Sequence, residues 1–139
     1  MERKQVRVIV EQTINYIDQD LQESFKVDII GEYLSLRSFR KVNYHDNEGL
    51  PIEVKWQVHP TAETYLVDIK QPAYDLRFNP VSITQSQYQT PAGLWLLDVE
   101  TKAIEILEEA SKQEINIYYQ ISLGSETLAD YHFRLLLLD

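Results

Sequence analysis

At 139 residues the chain fits one compact domain, 1–139, with 44% hydrophobic residues and enough apolar surface to fold without a metal or a disulfide. Thirteen Lys and Arg against 22 Asp and Glu leave a formal net charge of −9, which repels nucleic-acid backbones and anionic membranes. Zero cysteines exclude thiolate metal sites and cysteine nucleophiles, and the four glycines, at 31, 49, 93 and 124, are too far apart to cradle a phosphate.

On a helical wheel, residues 3–22 place Val6, Ile9, Val10, Ile14, Tyr16, Ile17 and Leu21 on one half, with Glu11, Gln12, Asn15, Asp18 and Gln19 opposite. The spacing predicts an amphipathic helix. The alternation of Val6, Val8 and Val10 offers a short strand as the alternative. From Phe25 the period is two, through Val27 and Ile29, and the phase then moves to Leu34 and Leu36, which predicts a bulge at Gly31. A polar loop follows over 43–51.

Ile52, Val54, Trp56 and Val58 alternate with Glu53, Lys55, Gln57 and His59, as in a sheet with one wet face. Tyr65, Val67 and Ile69 make the next strand. Tyr74, Leu76 and Phe78 make a further one, which Pro72 and Pro80 mark as an edge. The polar, uncharged stretch 79–89 is left open between strand and loop.

Thr90-Pro91 reads as a helix start, with a capping hydroxyl followed by proline at the first helical position. The helix is expected to run to about Lys112, with Leu96, Val99, Ala103, Ile106, Leu107 and Ala110 on its apolar face. A hairpin over 94–107, turning near Glu100, is the alternative. Ile115, Ile117, Tyr119, Ile121 and Leu123 then alternate without a fault. In the last segment Tyr131, Phe133, Leu135 and Leu137 face one side, while Leu136 and Leu138 make the end of the chain apolar on both.

The expected fold is therefore α+β, a mainly antiparallel sheet of five to six strands with two amphipathic helices in the order α-β-β-β(-β)-α-β-β. No catalytic or metal motif stands out. His45 with Asp46 and Glu48 lacks the spacing of a cation loop and reads as a solvated turn, and Ser125 lies in no nucleophile elbow. No catalytic, cofactor or metal residue is assigned, and the balance is against an enzyme.

Arg37, Arg40 and Lys41 are expected to pair with nearby carboxylates. The two-faced apolar C-terminal strand must be covered on both sides, which makes Tyr118, Leu136 and Leu138 candidate interface residues. The leading expectation is a cytoplasmic protein-binding, adaptor or chaperone-like domain, homodimeric, with no nucleic-acid or membrane partner. A small-molecule-binding domain or small enzyme is the second, with a pocket between sheet and helix lined by Trp56, Trp95 and Glu100; burial in the apolar arc would raise the Glu100 carboxyl pKa, but a place in an early helical turn, reaching solvent, is the preferred reading of that residue. An acidic inhibitor of a basic enzyme is the third.

Overall fold

The computed structural model describes residues Met1–Asp139, and they form strands throughout, with no helix. In chain order the strands are β1 (Glu2–Tyr16), β2 (Leu21–Ser35), β3 (Arg40–His45), β4 (Pro51–Val58), β5 (Tyr65–Lys70), β6 (Asp75–Phe78), β7 (Thr84–Thr90), β8 (Gly93–Glu108), β9 (Lys112–Leu123) and β10 (Glu126–Leu138). All ladders are antiparallel, in the order β6-β5-β4-β3-β2-β1-β10-β9-β8-β7. The two terminal strands of the chain, β1 and β10, are therefore neighbours at the middle of the sheet.

The sheet curls until its edges β6 and β7 meet, giving a nearly closed barrel. No ladder joins that seam. Side-chain hydroxyls cross it instead: Thr84 Oγ1 donates to the Arg77 carbonyl and Ser86 Oγ to the Asp75 carbonyl. The Asn79 N–H donates to Thr101 Oγ1 at 3.1 Å. Curling hides the row of unpaired backbone groups that an open edge would present.

Inside lies one apolar core. Val8, Val42, Val54, Val67, Phe78, Val99, Ile117 and Leu135 are fully buried within it. Outside, ion pairs link neighbouring strands: Arg7 to Asp28 at 2.7 Å, Lys41 to Glu53 at 2.9 Å, Arg77 to Asp68 at 2.9 Å, and Arg134 to both Glu11 (3.0 Å) and Glu114 (2.9 Å). One end of the barrel is crossed by Arg40 and Glu108, 3.6 Å apart on β3 and β8.

Both expected helices are corrected to strands, and with them the α+β class. Residues 3–22 form β1, a tight turn with Asp20 at φ 47°, and the start of β2. The register turns Val6, Val8, Val10, Gln12 and Ile14 to one face, so the valine alternation is the physical pattern. Its β-branched residues suit a pleated surface better than a helix. The segment from Thr90 is the turn between β7 and β8: Thr90 Oγ1 accepts from the Ala92 N–H and donates to the Gly93 carbonyl, a turn closed by the chemistry that also caps helices. The alternative hairpin at Glu100 is absent as well, since β8 runs unbroken through that point with a bulge between Thr101 and Ala103.

The open stretch 79–89 is a turn followed by β7 up to its last residue but one, Gln89. There is no bulge at Gly31, because the β1–β2 register is continuous there. A Cβ on Gly31 would instead lie 2.6 Å from the Asn43 carbonyl oxygen and 2.8 Å from Val8 Cγ2, so the glycine allows close approach of three strands.

Candidate functional site

β2 outruns its neighbour. Its pairing with β3 begins only at Glu32, leaving residues 21–31 without a ladder partner on that side and opening a slot in the barrel wall. The β3–β4 loop forms the other rim of this slot. Asp46 organises that loop: its Oδ1 accepts from the N–H groups of Glu48 and Leu50, both at 2.9 Å, and its carbonyl accepts from Gly49 N–H at 3.0 Å. Asn47 Nδ2 then reaches across to donate to the Lys26 carbonyl on β2 at 2.9 Å.

Behind the slot is a cavity of about 320 Å³ within the barrel, and ten of its fifteen lining residues are hydrophobic. Its walls come from eight strands and two loops. β1 supplies Val10 and Gln12, β2 Phe25 and Val27, β9 Tyr119 and β10 Phe133, while Ile69 and Leu76 come from β5 and β6. Asp46, Asn47 and Glu48 stand at the rim.

The polar groups inside are few and neutral. Gln12 Nε2 donates to the Tyr119 hydroxyl at 2.9 Å, joining residues 107 positions apart. Tyr119 stacks on Tyr131 with ring centres 4.8 Å apart and packs at 4.5 Å against Phe78, while Tyr74 meets Tyr88 edge-on at 5.0 Å. Burial pushes the phenol of Tyr119 well above the usual range, and it raises those of Tyr44 and Tyr74 too. Tyr131 is pushed up to about 12, again chiefly by burial. These tyrosines remain protonated at neutral pH, able to offer hydrogen bonds but not to act as bases.

A larger depression of about 730 Å³ lies on the outer wall, where Gln5, Glu32, Asn43, Glu53, Lys70 and Asp75 follow the register across six strands. Its lining is mostly polar and it opens widely to water, so it lacks the enclosed apolar walls of a ligand site. No group of three or more His, Cys, Asp or Glu side chains stands close enough to hold a metal ion.

The sequence candidates fall elsewhere. Trp56 is 1% exposed in the core, with its indole N–H buried and without an acceptor. Trp95 is 41% exposed beside the β7–β8 turn. Glu100 reaches solvent on the outer face of β8, with Lys102 Nζ at 3.1 Å, on a strand and not in the first turn of a helix. The pocket between sheet and helix has no helix to form it, and Trp56 and Glu100 point to opposite faces of the wall.

Tyr118 faces outward and stacks on His132 at 4.3 Å, while His132 bonds Asn116 at 2.8 Å. Leu136 and Leu138 also face outward, half-buried, with Ile9 opposite Leu136. His45 ends β3 in solvent, and His59 Nδ1 accepts from the N–H groups of Thr61 and Ala62, which fixes the turn after β4. The cavity residues Gln12, Phe25 and Phe133 were not singled out from the sequence. Gln12 carried the one available signal, a polar residue at an inward position of an alternating strand.

A family model described as "Domain of unknown function (DUF1934)" matches residues 8–135. No curated protein matches the chain. The crystal structure of the ywiB protein from Bacillus subtilis is similar in fold, with a TM-score of 0.72 and 19% identity over 98% of this chain and 92% of that one. No helix of this chain is long and apolar enough to cross a membrane.

Proposed function

The chain belongs to the DUF1934 family, and we propose from the geometry of its barrel that it binds a small amphipathic molecule in the cavity between β2 and the β3–β4 loop. The observation that carries this reading is a largely apolar, half-open space of about 320 Å³ with a few inward polar groups, within the range of small-ligand sites. The apolar part of the ligand lies against Val10, Val27, Ile69, Leu76 and Phe133. Its polar part meets Gln12 and Tyr119 inside or the loop residues at the rim.

A neutral solvatochromic naphthalene dye tests this. Saturable binding of one dye per chain with a blue-shifted emission is expected, and it should be lost in Val27→Trp and in Gln71→Trp, each of which fills the slot. Circular dichroism checks that both variants fold. Absence of saturable binding, or binding undiminished in folded variants, overturns the reading.

The protein-binding reading keeps one observation in its favour, the outward apolar row of Ile9, Leu136 and Leu138 across β1 and β10. If this row joins two copies of the chain, Leu136→Lys with Leu138→Lys converts a dimer to a monomer in light scattering. A wild-type chain that is already monomeric removes self-association. A cytoplasmic location belongs to the same proposal, supported by the ion-paired outer wall and apolar interior, the reverse of a lipid-facing barrel.

A further inference from the structure

We infer that this cavity, taken as the ligand site proposed above, selects a cationic amphiphile: an amine or quaternary ammonium on a compact apolar body, with its charge held at the slot beside Asp46 and Glu48. The fifteen lining residues include these two carboxylates and no Lys, Arg or His. A carboxylate or phosphate entering the cavity would lose its hydration without gaining a positive partner, and would pass two negative charges on the way in. An ammonium group finds the opposite conditions.

The loop that carries both carboxylates is fixed before any ligand arrives. The backbone bonds to Asp46 Oδ1 fix the loop, and the bond from Asn47 to the Lys26 carbonyl fixes the loop against β2. Phe25, Tyr44 and Tyr74 line the same space, and a cation over an aromatic face gains further attraction. The charge of Asp46 reaches the wall, since after burial it is the second cause raising the Tyr44 phenol. Lys26, the lysine on the slot's own strand, acts instead on Asp28 outside, whose carboxyl it helps hold below the usual range after the larger effect of Arg7. A whole-molecule charge of −9 adds a long-range pull on cations.

The test is calorimetric titration of the full chain with decyltrimethylammonium and decanoate, each below its micelle concentration, and with 1-decanol below its solubility limit. Decyltrimethylammonium is expected to bind about tenfold more tightly than decanoate, with decanol between them. Glu48→Gln should narrow the gap severalfold and leave decanol unchanged. Equal affinities, or tightest binding by decanoate, overturn the charge selection while the decanol isotherm still supports the cavity. Failure of all three to bind overturns both readings. Ammonium binding that persists in folded Val27→Trp assigns it to the acidic outer wall, and that also overturns the inference.

Discussion

Gly31 shows how one atom can matter to a barrel. The closest neighbour of an added Cβ is a backbone oxygen, that of Asn43, which cannot move without shifting β3. Gly31→Ala is therefore expected to destabilise by about 1–3 kcal/mol through overpacking, read as a lower urea midpoint with an unchanged slope. A midpoint equal to wild type would mean that the strands give way freely. Tyr131 acts through charge. Its folded pKa of about 12 exceeds the ordinary 10.0, so between these values the folded chain holds more protons than the unfolded one and stability falls as pH rises. Below pH 10 that contribution is intact. Tyr131→Phe keeps the ring against Tyr119 and removes the proton, so urea midpoints at pH 9, 10 and 11 should fall less steeply than in wild type. An identical slope would show that Tyr131 is not among the groups responsible; Tyr44, Tyr74 and Tyr119 shift in the same direction and account for the remainder.

Among the elements, the seam between β6 and β7 is the weakest join, because hydroxyls replace a ladder. Ser86 is 3% exposed, and its hydroxyl holds the Asp75 carbonyl. Ser86→Ala leaves that acceptor short of a partner at a cost of about 1–3 kcal/mol. Hydrogen exchange should quicken first in β6 and β7 and later in β1 and β10; uniform quickening would mean that the seam opens only with the whole barrel. The same elements show why some strands were legible in the sequence and others were not. Ile52–Val58 and Ile115–Leu123 have a core face that is apolar without exception, so period two reads cleanly. In β1 the inward Val6, Val10 and Ile14 combine with the outward Ile9, and with Ile17 in the turn that follows, to imitate a helical stripe, and Gln12 interrupts the inward row. In β8 the bulge moves the inward set from Leu97, Val99 and Thr101 to Ile104 and Ile106. That change of parity sets the inward Val99 and Ile106 seven residues apart, two helical turns, so both fell on the expected apolar face of a helix.

At the scale of the whole molecule, the barrel depends on a pairing between the two ends of the chain. Arg7–Val10 meet Leu135–Leu138, and no local sequence pattern announces a contact of that span. The cavity was illegible for the same reason, since eight strands from Val10 to Phe133 converge on it. The closing pair also sets what the C-terminus can tolerate. Leu135 is 0% and Leu137 3% exposed inside the core, whereas Leu136 and Leu138 face outward, so the apolar run serves two faces of one wall. Deleting residues 135–139 removes both inner leucines and unpairs β1 along that stretch. At about 2–5 kcal/mol for each buried leucine lost, the deletion consumes most of the 5–15 kcal/mol that holds a domain of this size together. Loss of the cooperative thermal transition, with aggregation, is the expected outcome. A truncated chain that still melts cooperatively near the wild-type temperature would show that β1 and β10 do not need their outermost pairs to close the barrel. Any loss of association after such a deletion reports unfolding, so the outward face is to be tested by substitutions that leave Leu135 and Leu137 in place.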